Sequence, residues 1–206
     1  MKKFTLVAAL MVLLCGTALS AKDFKWSESW CNYGAGIEKG DFLINVDFGL
    51  DAADLGTVIA CNSFSYYKNV WMLPPIFAEV QYATPIWKLP FTFGGFIGMH
   101  GYGYNYDSNY WYYNRTPAWE KNTYLALFIG GEAAYHAKLP IEKLDVYAMI
   151  RLGANIPVSK PKYGIYTPQY VIGGFQLGAN WFFTDKFAAN LEVGYPFNKI
   201  GLTVKL

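Results

Sequence analysis

Apolar and polar residues alternate with a period of two along most of this chain. Phe187, Ala189, Leu191, Val193 and Tyr195 alternate with Ala188, Asn190, Glu192 and Gly194. After a short Pro196-Phe197-Asn198 turn, Ile200, Leu202, Val204 and Leu206 alternate with Gly201, Thr203 and Lys205. Such a period puts one set on each face of a β-strand. A last strand with an unpaired edge needs a partner. The first strand of the same chain is the natural one, and pairing with it would close a barrel.

That first strand is expected over Asp41–Asp51, with Phe42, Ile44, Val46, Phe48 and Leu50 on one face and Asn45, Asp47 and Gly49 on the other. A long segment, Ala52–Leu73, follows, and Pro74-Pro75 breaks the chain before a second strand, Ile76–Thr84, with Glu79 and Gln81 on its polar face. The third strand is Phe91–Tyr104, with Thr92, Phe96 and His100 inward. Its run free of charges could be mistaken for a membrane helix, but Pro90 and the many glycines disfavour helix. The fourth is Thr123–His136, with Glu132 inward; the fifth is Asp145–Ile156, with Arg151 and Asn155 inward. The sixth is Tyr170–Phe183, with Gln176 and Asn180 inward, and Thr184-Asp185-Lys186 turns the chain into the closing hairpin. No coherent helical face appears after the N-terminal segment.

Eight strands result. The links after strands one, three and five are long and those after two, four and six are short; the last link is short as well. Short turns at one end and longer loops at the other are the pattern of outer-membrane barrels, and an even count puts both termini in the periplasm. A strand of about ten residues tilted near 45° rises roughly 24 Å, which matches their apolar band. The expected fold class is an all-β, eight-stranded antiparallel up-and-down transmembrane β-barrel over residues 41–206, preceded by a periplasmic arm over 21–40.

Residues 1–20 carry Lys2 and Lys3, an apolar run Leu6–Leu14, and the small residues Ala18 and Ser20 before Ala21. This reads as a secretory signal peptide. Cys15 follows Leu13-Leu14, whereas a lipoprotein signal has a small residue before its cysteine. Fifteen of the seventeen Lys and Arg then remain against fifteen acids, so the mature chain is formally neutral. No basic stripe points to nucleic acid. Charged residues are only 16% and aromatics reach 19%, against about 25% charged in soluble domains. Such a chain leaves apolar surface for something other than water to cover.

A soluble lipocalin-like barrel also alternates, with its apolar face inward. The polar faces separate the two readings. Each carries one or two charges diluted by Gly, Asn, Gln, Ala and aromatics, which fits a packed lumen better than a solvated surface. Aromatics gather at strand ends, at Phe91, Tyr135, Trp181, Phe183, Phe187 and Tyr195, where girdles of a membrane barrel lie. The segments Leu125–His136 (LALFIGGEAAYH), Leu144–Gly153 (LDVYAMIRLG), Phe183-Thr184-Asp185, Leu191–Tyr195 (LEVGY) and Ile200–Leu206 (IGLTVKL) resemble small eight-stranded outer-membrane barrels of the spirochaete, treponemal type, with OmpX- and OmpW-like architecture. The resemblance implies outer-membrane lipid and the outer-membrane assembly machinery, acting on the C-terminal strand, as partners. Barrels of this kind commonly end on Phe; this chain ends on Leu206.

An eight-stranded barrel has an interior that side chains can fill. The inward charged set is Asp47, Glu79, Glu132, Arg151, Glu192 and Lys205. Centring the fourth hairpin link on residues 141–142 sets Glu132 opposite Arg151. The same arithmetic on the last hairpin sets Glu192 opposite Thr203 and Asn190 opposite Lys205. The network either plugs the barrel, leaving a surface-exposed structural or interaction protein, or gates a narrow channel for small, including apolar, solutes. Nothing indicates catalysis, a cofactor or a metal: His100 and His136 sit toward opposite ends, and Ser63, Ser65 and Ser108 have no assignable base. Tyr110, Trp111, Tyr112 and Tyr113 crowd one external loop as a candidate contact surface for an unidentified ligand. Aromatics of this kind serve binding or an interfacial girdle. Cys31 and Cys61 flank the first strand on opposite sides of the barrel, farther apart than the roughly 7 Å a disulfide allows; two free thiols, or bonds to other chains, are expected, with no disulfide between them.

Overall fold

The computed structural model describes residues 30–34, 36–50, 52–109, 116–160 and 170–206. Its strands are β1 (Phe42–Leu50), β2 (Tyr67–Ala83), β3 (Phe91–Asp107), β4 (Trp119–Lys138), β5 (Leu144–Ser159), β6 (Val171–Phe182), β7 (Phe187–Tyr195) and β8 (Asn198–Lys205), with one helix, α1 (Ala52–Ser63), between β1 and β2. Each strand pairs antiparallel with the next, and β8 returns to β1 to close an eight-stranded up-and-down barrel. Phe42 and Leu206 exchange backbone hydrogen bonds at 3.1 and 2.9 Å where the first and last strands meet.

The period-two pattern holds through the central part of every strand. In β1, Leu43, Asn45, Asp47 and Gly49 are buried inside, while Phe42, Val46, Phe48 and Leu50 are exposed outside. The elements themselves extend further than the pattern indicates. β2 begins at Tyr67, because Pro74-Pro75 does not break it. The prolines, which lack an N–H for the ladder, are absorbed by a register shift between Leu73 and Ile76. β3 and β4 continue through Asn105↔Lys121, Tyr106↔Glu120 and Asp107↔Trp119. β5 continues through Pro157, which pairs with Ala126 beside another irregularity. These long strands, β2 to β5, rise above the rest of the barrel at the loop end.

Two further expectations fail. Part of Ala52–Leu73 is helical, packing against the start of β2. Its apolar residues are not sorted to one face: Cys61 is buried while Ile59 is exposed, so periodicity gave no warning. The last hairpin is also tighter than expected. Glu192 pairs with Lys199, Asn190 with Gly201 and Ala188 with Thr203, because the chain reverses around Tyr195-Pro196, joined by a cis peptide bond, instead of around Phe197-Asn198.

The described part of the N-terminal arm is not a free polar segment. It folds back into the turn-end mouth of the barrel, where Ile37 joins Leu43, Ala83, Phe182 and Ala188 in an apolar cluster with Tyr33 against it. Gly34 lies flat against Asp145, where a Cβ would come within 2.2 Å of Oδ1. Cys31 is exposed and Cys61 buried, and both are free thiols. Burial pushes the Cys61 thiol above its usual range.

Candidate functional site

Inward residues from six strands meet at mid-barrel in one charged layer. Glu132 stands opposite Arg151 in the β4–β5 ladder, and Arg151 Nη2 donates to Glu132 Oε2 at 3.0 Å. The same nitrogen reaches Glu79 Oε1 at 3.1 Å and Glu192 Oε2 at 3.4 Å. Lys199 supplies the second cation. Its ammonium bonds to Glu79, lies 2.8 Å from Glu192 Oε2, and lies 3.5 Å from Asp47 Oδ2. All six residues are buried. Four carboxylates thus share two cations, each cation facing three of them.

The sequence reading brought five of these six together and missed Lys199. Lys205, offered in its place, shares the inward parity but lies at the turn-end rim. There its ammonium bonds to the Gly36 carbonyl and lies 3.9 Å from Asp41 Oδ2. Both facts follow from the tight last hairpin, which draws Lys199 opposite Glu192. Gly201, the neighbour of Asp47 across the β1–β8 ladder, leaves room for that carboxylate: a Cβ there would come within 2.2 Å of Asp47 Oδ1.

Asp47, Glu79 and Glu192 each offer an oxygen within 4.8 Å of the others, a spacing that could hold a metal ion. Lys199 Nζ occupies that position and supplies the positive charge. Tyr147 extends the network, donating to Glu192 Oε1 at 2.8 Å and accepting from Asn190 Nδ2 at 2.6 Å.

A second polar layer lies toward the turn end. Gln81 Nε2 donates to Glu132 Oε1 at 2.8 Å, and Thr92 Oγ1 donates to Gln81 Oε1 at 2.8 Å. His136 Nε2 lies 3.0 Å from Thr92 Oγ1, and its Nδ1 lies 3.0 Å from both Asp145 oxygens. Thr92, His136 and Asp145 have the identities of a nucleophile, base and carboxylate. The directions are wrong for that chemistry. A nucleophile must give its proton to the base, whereas the Thr92 hydroxyl donates its proton to Gln81 Oε1 and has no second one for the imidazole. All three side chains are buried under the arm. The sequence reading dismissed His136 for its distance from His100 and missed these partners, which come from β3 and β5. Tyr33 covers the layer, its ring centroid 5.8 Å from that of His136, and its hydroxyl donates to the Phe91 carbonyl at 2.7 Å. Burial, then the nearby Tyr82 phenol, push the Tyr33 hydroxyl up to about 12, so it remains a donor at neutral pH.

Toward the loop end the charged layer is covered by Phe77, Phe96, Phe128, Ile172 and Phe197. Phe77 and Phe128 stack at 5.6 Å, and His100 stacks on Phe128 at 4.6 Å. The Arg151 guanidinium lies 5.0 Å from the Phe96 ring centroid. Apolar clusters therefore lie on both sides of the charges along the barrel.

The exterior is the reverse. Outward positions of β1 (42–50), β2 (76–82), β3 (91–99), β4 (125–135), β5 (146–154), β6 (171–181), β7 (187–195) and β8 (200–204) include no Asp, Glu, Lys, Arg or His. Phe48, Ile97, Ile129, Ile150, Leu152, Phe175, Ile200 and Leu202 are each more than half exposed. Phe42 and Tyr82 pack together at the turn-end rim, as do Phe183 and Phe187. Tyr110, Trp111, Tyr112 and Tyr113 lie outside the described residues.

No protein-family model matches this chain, and no curated protein matches it. Among solved structures it is similar to a de novo designed transmembrane β-barrel, at 15% identity and a TM-score of 0.45, covering 82% of this chain and 98% of that one. It is also similar to the Yersinia pestis outer membrane protein Ail, in a phospholipid bilayer nanodisc, at 9% identity and a TM-score of 0.41, covering 82% of this chain and all of Ail. Neither is a spirochaete protein.

Proposed function

We propose that this chain is an outer-membrane β-barrel protein with a filled lumen, exported by a signal peptide over residues 1–20 and acting as a surface-exposed structural or interaction protein. One observation carries the reading: ionisable acids and bases are missing from the outward belt and buried in the interior. A barrel in water would have to solvate that belt and would gain nothing from its buried charges, since an apolar core of equal volume is as stable or more so. In a bilayer the belt meets lipid, and the strands satisfy their backbone groups within the closed ladder. The aromatic rims suit the two interfaces.

The layers on either side of Arg151 and Lys199 support a non-conducting role over a channel. A solute would have to pass Phe77, Phe96, Phe128 and Phe197 at one level and the Ile37 cluster at another. The test joins two measurements on purified, refolded protein. Protease protection in phosphatidylcholine vesicles reads insertion, and planar-bilayer recording reads conductance. Protected strands without stable conductance are expected. Complete digestion would overturn the membrane assignment. Regular single-channel steps abolished by Arg151→Ala would instead establish the narrow channel.

A further inference from the structure

Above the apolar belt, the outward face of β2 to β4 changes character at the loop end. In β3 the outward positions run Ile97, Met99, Gly101, Gly103, Asn105, and in β4 they run Leu127, Leu125, Thr123, Lys121. Asn105 pairs with Lys68 on one side and Lys121 on the other, so one rung across three strands reads Lys, Asn, Lys. Strand spacing puts the outer two backbones about 10 Å apart. The Lys68 ammonium lies 4.1 Å over the Trp119 ring. Among the described residues, neither lysine has an ion-pair partner.

The ladder opens at this rung. Lys68 pairs with Asn105 and Trp71 with Gly103, so Asn69 and Val70 together face Tyr104. Asn69 takes up the bulge with φ 52°, a left-handed conformation uncommon outside glycine. Bulges re-aim side chains, and strained backbone gathers at ligand sites. Here the bulge turns Trp71 down onto β3. Its indole lies across Gly103, where a Cβ would come within 2.5 Å of Nε1. The result is a pocket of about 320 Å³ lined by Asn69, Trp71, Tyr104, Asn105 and Lys121.

We propose that this pocket binds the phosphate of an anionic lipid headgroup in the loop-side leaflet; the inference rests on the membrane reading above. Its three chemistries stand in the order a lipid presents them. Ile97, Met99, Leu125 and Leu127 meet the acyl chains. Trp71 stands at the boundary, where indole rings favour the headgroup level. Above it, the ammonium groups supply charge to a phosphate, and the Asn69 and Asn105 carboxamides supply donors. Among the described residues no acidic partner competes for that charge. A free anion would use the lysines but gain nothing from the apolar surface beneath them, which is why the lipid is the preferred source.

The test uses the full chain in phosphatidylcholine vesicles doped with brominated phosphatidic acid or, separately, brominated phosphatidylcholine. In a background with Trp26, Trp30, Trp87, Trp111 and Trp181 changed to Phe, quenching of tryptophan fluorescence reads lipid contact at Trp71 and Trp119. Phosphatidic acid should be preferred, by about fivefold for each lysine engaged, and Lys68→Gln with Lys121→Gln should remove the preference. Gly103→Ala, with both lysines kept, should weaken it by displacing the indole. Equal quenching by the two lipids, or a preference unchanged in the double lysine variant, overturns the proposal. So does displacement of phosphatidic acid by inorganic phosphate, which would mean a free-anion site, or by a soluble acidic oligosaccharide, which would mean a glycan site. Protease protection in phosphatidylcholine alone is measured alongside. Failure there refutes the membrane reading, whereas an inserted barrel without lipid preference refutes only the pocket.

Discussion

Replacing Lys199 with Met tests whether the charged layer works as a unit. Methionine keeps an unbranched side chain of similar length and removes the charge. In the native barrel the ammonium serves Glu79, Glu192 and Asp47, whose oxygens lie within 4.8 Å of one another. Without it those three carboxylates, with Glu132, have only Arg151. Removing one member of a buried pair costs about 3–5 kcal/mol, because the other charge stays buried. Three such losses do not add, since the carboxylates share one environment and can be neutralised by protons. The expected loss for Lys199→Met is therefore about 3–5 kcal/mol in all. Adding Asp47→Asn and Glu192→Gln lowers the number of orphaned charges and should recover more than half of it. Urea unfolding in phosphatidylcholine vesicles, followed by tryptophan fluorescence and gel mobility of unheated samples, gives both values. A loss for Lys199→Met below about 1 kcal/mol, the scale of an exposed ion pair, would refute the reasoning. So would a triple variant no more stable than the single one.

Arg151→Ala should destabilise by about the same 3–5 kcal/mol, and adding Glu132→Ala should recover only part, because Glu79 and Glu192 still face the missing guanidinium; full recovery in a double-mutant cycle would reduce the layer to one isolated pair. Maleimide labelling of the folded protein should modify Cys31 quickly and Cys61 slowly, the latter being buried with a raised pKa; equal rates would mean that the Cys61 side of α1 is not packed against the barrel. Gly178→Ala should cost about 1–3 kcal/mol from overpacking, because its Cβ would lie 2.2 Å from the Tyr147 ring; unchanged unfolding midpoints would count against the packing. Ile37→Asp should expose the turn-end mouth and speed proteolysis of the arm, while the strands stay protected.

The barrel was legible because alternation is a long-range statement about two environments. β1, β6, β7 and the middle of β4 and β5 each sort apolar residues to one side and Asn, Gln, Glu or Arg to the other, and β3 turns Thr92 and His100 inward; that fixes which face is which. It does not fix where a strand stops. The projecting ends of β2 to β5 leave the belt, so their outward residues change from Met99 and Leu127 to Asn105 and Lys121 while pairing continues. The pattern faded there although the ladder did not. The helix α1 and the arm's insertion were illegible for a related reason. Neither buries a periodic stripe; the arm docks through single residues such as Tyr33, Gly34 and Ile37.

The misplaced last hairpin shows what the charged layer contributes. Shifting a strand by an even number of residues keeps every side chain on its own face, so the apolar belt cannot tell Glu192 opposite Lys199 from Glu192 opposite Thr203. Both registers leave the same apolar face outward. The interior separates them. In the observed register Lys199 reaches three carboxylates and Gly201 makes room for Asp47. In the alternative, Lys199 would be drawn away from Glu192, and those acids would be left with Arg151. An error of that kind costs several kcal/mol, far more than a mismatched pair of apolar side chains on the belt. A buried ionic network is a poor source of net stability, but it discriminates strongly between registers of equal hydrophobicity. In a barrel whose outward belt is uniformly apolar, that discrimination has to come from the lumen, and Lys199 and Arg151 are the residues placed to supply it.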